Sequence, residues 1–121
     1  NGNGVAGDGP FVYTGFKPAF VMLKTTGIAL DWFMYDHKRA GANTVDARYN
    51  EIKSVIYANS ISGGSGTSYR GVDFYANGFK IRNGGNGGPN QASQNYIYIA
   101  FAENPFVTST GVPTTARWQF E

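Results

Sequence analysis

Glycine and asparagine interrupt this chain so often that it cannot sustain a long helix. Seventeen glycines and eleven asparagines are spread over its 121 residues. Gly costs roughly 1 kcal/mol against Ala inside a helix, and both residues tolerate the left-handed backbone of tight turns. Between the interruptions lie short runs rich in Phe, Tyr, Val and Ile: Phe11 to Phe16, Ala19 to Thr25, Leu30 to Asp36, Ile52 to Asn59, Gly71 to Tyr75, Gly78 to Asn83, Asn95 to Ala102 and Thr115 to Phe120. Runs of this length and composition predict about eight short strands. A helical pattern is confined to Ala47 to Lys53, too short to shape the fold.

The turn chemistry is explicit at Ala76-Asn77-Gly78, where Asn-Gly between Val72 to Tyr75 and Phe79 to Arg82 predicts a β-hairpin. Alternation is clean in its second arm, with Phe79 and Ile81 on one side and Lys80 and Arg82 on the other. Elsewhere both sides are apolar. In the run from Asn95 to Ala102, Ile97, Ile99 and Phe101 share one face and Tyr96, Tyr98, Ala100 and Ala102 the other; Ala19 to Leu23 and Trp32 to Tyr35 behave alike. Such strands are expected at the centre of two packed sheets, or with an outer face against another subunit. If the Phe101 ring lies in the core, its replacement by Ala costs about 3–5 kcal/mol. Short sequential strands without helical crossovers predict an all-β fold, an antiparallel β-sandwich of jelly-roll or concanavalin/laminin-G-like type. Residues 1–9 read as a Gly/Asn-rich lead-in linker and residues 10–121 as a single sandwich domain. Ser60 to Ser68 and Asn83 to Asn95 read as long loops.

Composition narrows the function classes. At 41% hydrophobic and 15% charged residues the chain can bury a core. A formal charge of +2, scattered along the sequence, gives no phosphate-tracking surface, so nucleic acid is not an expected partner. The absence of cysteine excludes disulfides, thiolate metal sites and a cysteine nucleophile, and the single histidine, His37, excludes a site built on two imidazoles. No apolar run approaches the roughly 20 residues of a spanning helix, so no membrane insertion is expected. Because the chain lacks an initiator Met, Asn1 is expected to be a processed or truncated start.

Several motifs fail on context. Gly2-Asn3-Gly4-Val5-Ala6-Gly7 matches the dinucleotide fingerprint in letters, but lacks the preceding strand and following helix that would place a pyrophosphate. The stretch Gly63 to Ser68 lacks the lysine of a phosphate-binding loop. Asp36 and His37 are adjacent on a strand, so their side chains diverge and cannot share a general-base site. No serine sits in a nucleophile elbow. Asp46, Asn50 and Glu51 offer oxygen ligands at a spacing that matches no EF-hand loop. No catalytic residue, cofactor or metal is expected.

Sugars are recognised by flat rings under their C–H faces and by amides or hydroxyls at their hydroxyl groups. On that ground the glycan candidates are Tyr69 and Arg70, beside Thr67-Ser68, and Asn90, Gln91, Gln94 and Asn95, which precede Tyr96.

Four phrases occur together: residues 8–24 (DGPFVYTGFKPAFVMLK), 31–36 (DWFMYD), 77–82 (NGFKIR) and 96–107 (YIYIAFAENPFV). In combination they resemble an uncharacterised β-rich domain of virion structural proteins in bacteriophages, especially marine tailed phages, found in tail-fibre and other surface proteins. The resemblance covers almost the whole chain and carries no known active-site residues. It implies a non-enzymatic module on the virion surface, in a tail fibre or receptor-binding appendage that contacts host surface glycans. It also implies other virion proteins and further copies of the chain as partners, in a homo-oligomer. A capsid-decorating or head-fibre protein is the alternative; a polysaccharide depolymerase fragment or a cellular carbohydrate-binding domain is the second. The depolymerase requires two carboxylates about 5–9 Å apart in one cleft.

Overall fold

The computed structural model describes residues 1–38, 51–52, 54–61, 63–66, 71–82 and 88–102. Among them the chain is all-β, with nine strands in two antiparallel sheets. The strands are β1 (Phe11–Tyr13), β2 (Pro18–Thr25), β3 (Phe33–Asp36), β4 (Glu51–Ile52), β5 (Ser54–Tyr57), β6 (Gly63–Gly66), β7 (Val72–Tyr75), β8 (Gly78–Ile81) and β9 (Tyr96–Ala102). One sheet has the order β1-β8-β7-β4 and the other β6-β5-β3-β2-β9.

The Asn-Gly hairpin forms where the sequence predicts it. Ala76 and Asn77 make the turn, and Phe74 pairs with Phe79 across it. β1 then adds to the free side of β8, and the Asn77 carbonyl accepts from the amides of Thr14 and Gly15. Gly78 lets that third strand approach: a Cβ there would lie 2.1 Å from the Val12 carbonyl oxygen.

Alternation places the core between the sheets. Ile52, Val72, Phe74, Phe79 and Ile81 face inward from the smaller sheet; Val21, Leu23, Phe33, Tyr35, Val55 and Tyr57 face inward from the larger. The expected split of β8 holds, with Phe79 and Ile81 buried, while Lys80 and Arg82 bond to carboxylates on the opposite side.

Three expectations change. The Phe101 ring is not in the core: it is 53% exposed, and Ile97 and Ile99 share its face. The register explains this, because buried Val21 pairs with Ala100, leaving Phe101 beside outward-facing Phe20. Within the expected loop Ser60 to Ser68, Gly63–Gly66 is a strand paired antiparallel to β5. The lead-in read as a linker is built into the fold. The Gly2 amide donates to the Gln94 carbonyl, the Ser93 amide returns a bond to the Gly2 carbonyl, and the Gly7 amide donates to the Arg82 carbonyl. Gly2 is buried because it permits contact of backbone on backbone; a Cβ would lie 2.1 Å from the Gln91 oxygen. Of the expected helical segment, Glu51–Ile52 is strand and the remainder lies outside the described residues, as does Thr115 to Phe120.

Candidate functional site

The outward positions of the smaller sheet gather exposed rings beside charges. Phe11 and Tyr13 alternate with half-buried Val12 on β1, and Tyr75 ends β7. Between Tyr13 and Tyr75 the intervening strand offers Gly78, which pairs with both. That gap lets Phe11 lean over the glycine to meet Tyr75 edge-on, with centroids 5.9 Å apart. A ring covering a cross-strand glycine also supports the sheet. Tyr13, at 69% exposure, continues the strip into solvent.

Charges frame these rings. Asp73 lies on the same side of β7 as Tyr75 but is only 2% exposed, and the Arg82 guanidinium bonds its Oδ2. A second Arg82 nitrogen donates 2.8 Å to the Tyr75 hydroxyl, which in turn donates 3.3 Å to Asp73 Oδ2. The bond to Asp73 raises Arg82 above its ordinary pKa. Beside Phe11, Lys80 pairs with Asp8, and its hydrogen bond and charge hold the Asp8 carboxyl below its usual value. The hydroxyl of Tyr75 is thus fixed in direction, while its ring edge and those of Phe11 and Tyr13 stay accessible. Chemically this is a platform for the apolar face of a polar molecule, bordered by donors and acceptors.

The residues expected from sequence fall differently. Tyr69 and Arg70 lie outside the described residues. Asn90, Gln91, Gln94 and Asn95 do come together, in the loop before β9, but mostly to hold the lead-in. Asn90 is wholly buried: its Oδ1 accepts from the Asn3 amide at 2.8 Å, and its Nδ2 donates to Asn3 Oδ1 at 2.7 Å. Its amide is therefore spent on Asn3 and does not face a ligand. Gln91 and Gln94 are half-buried; the Gln91 amide donates to the Tyr96 hydroxyl at 3.0 Å. Asn95 is exposed, with its carbonyl accepting from Thr26.

Among the described residues Asp8, Asp31, Asp36 and Asp73 have separate partners. Asp31 accepts from Asn59, Asp36 from the Lys38 amide, and Asp8 and Asp73 hold the two cations named above. His37 Nδ1 lies 3.1 Å from the Ala19 carbonyl. Among the described residues no three His, Asp or Glu side chains cluster as a metal site, and no helix is long and apolar enough to cross a membrane.

Residues 1–105 match the family described as Domain of unknown function (DUF7483). The chain belongs to that family. No curated protein and no solved structure matches it. The DUF7483 match includes both the docked lead-in and the ring strip, so the two features lie within one family unit.

Sequence reasoning missed Phe11, Tyr13 and Tyr75 as surface residues. The available signal was local: Phe11 and Tyr13 flank Val12 at period two, and the hairpin glycine removes the side chain that would separate them from Tyr75.

Proposed function

We propose that this chain is a non-enzymatic surface module of a bacteriophage virion, in a tail fibre or receptor-binding appendage, and that it contacts host surface glycans. The observation that carries the glycan part is the exposed strip of Phe11, Tyr13 and Tyr75 beside the Arg82–Asp73 pair. Rings presented in this way suit the C–H face of a pyranose, and the fixed Tyr75 hydroxyl and neighbouring cations suit its hydroxyls or an acidic substituent. The virion part rests on the resemblance of the four sequence phrases. A cysteine-free sandwich with short corners is in keeping with a part that must stay folded outside a cell.

Two measurements test the reading. A glycan array probed with the full chain is expected to give saccharide binding that Tyr13→Ala abolishes without changing the melting temperature. Binding unaffected by Tyr13→Ala, or none to any glycan, overturns the ring strip as the contact. Antibody labelling of particles by electron microscopy is expected to place the chain on an appendage; a chain absent from particles overturns the virion assignment.

A further inference from the structure

The two sheets treat their outer faces in opposite ways. On the smaller sheet the outward positions mix Phe11, Tyr13 and Tyr75 with Lys80 and the buried Asp73, so rings and charges alternate. On the larger sheet, the register aligns Ile99, Met22, Met34 and Ile56 in one row across β9, β2, β3 and β5. A second row holds Phe101, Phe20 and Asp36, and a third holds Ile97 and Lys24. Ile97, Ile99 and Phe101 are each exposed, although the Phe20 and Phe101 rings meet at 5.9 Å. Four strands at about 4.8 Å spacing and five residues at about 3.4 Å give a patch on the order of 300 Å² in projection. A patch of that size is about the largest that a typical monomer exposes, and such patches are often functional.

The charges at the corners of this patch say what covers it. Lys24 stands at one end of β2 and Asp36 at the other end of neighbouring β3, on the same face. Among the described residues these three rows hold one cation and one anion, at opposite corners and separated by apolar positions, an arrangement complementary to itself when turned over; the Asp36 carboxylate also accepts from the Lys38 amide. We propose that this face binds a second copy of the chain about a two-fold axis lying in the interface and passing through the Met22–Met34 pair. The axis runs roughly across the strands. It brings Lys24 of each copy opposite Asp36 of the other and sets Phe101 of each copy against Ile99 of the other. Such a contact is isologous, the commonest kind in homo-oligomers. A formal charge of +2 per chain opposes the pairing little. The Lys24 ammonium already reaches the Leu30 carbonyl at 2.8 Å, which holds it at the rim and leaves its stem over the apolar rows.

Analytical ultracentrifugation of the full chain tests this, with circular dichroism confirming that each variant is folded. The wild type is expected to be a dimer. Ile99→Lys and Phe101→Ser, both at exposed positions, are each expected to raise the dimer dissociation constant about tenfold or more. Lys24→Asp and Asp36→Lys are each expected to weaken the dimer, and the double exchange to restore it, because it rebuilds the pair with its signs reversed. A wild type that is monomeric at every concentration overturns the proposal, as does a dimer indifferent to both apolar substitutions. A dimer that the apolar variants dissociate but the double exchange fails to rescue overturns the two-fold register. None of these results bears on saccharide binding, which uses the other sheet.

Discussion

The ring of Tyr98 on β9 meets that of Phe79 on β8 edge-on, with centroids 5.5 Å apart and planes at 73°. The two strands belong to different sheets, so this pair closes the sandwich along its β9 margin. Phe79 is fully buried, and its neighbours include Val12 from β1 and Phe74 from β7. Phe79→Ala is expected to cost about 3–5 kcal/mol, the range for a buried ring that leaves a cavity. In dilute solution Phe101→Ala is expected to cost less than about 1 kcal/mol, because that ring is already half in water. A denaturant titration of both variants checks the assignment of faces. Equal losses would mean that the register of β9 on β2 is wrong.

Much of this architecture is legible in residue order because local rules and tertiary packing agree. Asn77-Gly78 forces a hairpin, and the Phe79, Lys80, Ile81, Arg82 alternation fixes which side of β8 is wet. β9 is different. Both of its faces are apolar, so period two cannot choose between them; pairing to Val21 and Leu23 does. The strand Gly63–Gly66 carries no apolar alternation to announce it, because three of its four residues are glycine. The Gly/Asn lead-in misled for a physical reason: small residues permit either freedom or close docking, and the buried Asn90 amide selects docking. The ring strip joins Phe11 and Tyr13 to Tyr75 through an intervening strand, a neighbourhood that exists only after the β1-β8-β7 order is known.

Asn90→Ala is expected to release the lead-in. The substitution removes the acceptor of the Asn3 amide and the donors to Asn3 Oδ1 and the Val5 carbonyl, all at a fully buried position. Losing such partners costs about 1–3 kcal/mol. Hydrogen exchange should show the amides of Gly2 and Asn3 losing protection while those of β7 and β8 keep theirs. Unchanged protection at Gly2 would mean that the Gln94 carbonyl alone anchors the segment.

The two ion pairs on the smaller sheet should differ in weight. Asp73 is nearly inaccessible, so Arg82→Ala strands a carboxylate away from water and is expected to cost about 3 kcal/mol. Asp8 is largely exposed, so Lys80→Ala is expected to cost much less than Arg82→Ala. Thermal unfolding of both variants separates the cases. Because Lys80 lowers the Asp8 pKa, the small contribution of that pair is present above the ordinary carboxylate value and fades as pH falls through the lowered one. A loss for Lys80→Ala as large as that for Arg82→Ala would contradict the burial difference.

At alkaline pH the titrating group that holds the loop before β9 is Tyr96, the first residue of that strand. Burial raises its phenol pKa above the ordinary value of 10.0, and the hydrogen bond from the Gln91 amide offsets part of that rise. The hydroxyl also donates to the Gly88 carbonyl at 3.3 Å, a bond that the phenolate cannot make. A phenol whose folded pKa exceeds its unfolded one keeps its proton more tightly in the native state. Its stabilisation is therefore complete below the unfolded value and is lost as pH rises past 10.0 and through the folded value. Tyr96→Phe is expected to lower the melting temperature at neutral pH, through loss of both hydrogen bonds, and to flatten its decline above pH 10. A decline as steep in Tyr96→Phe as in the wild type would assign the alkaline sensitivity to other tyrosines, and would mean that the Gly88 and Gln91 contacts do not hold the loop.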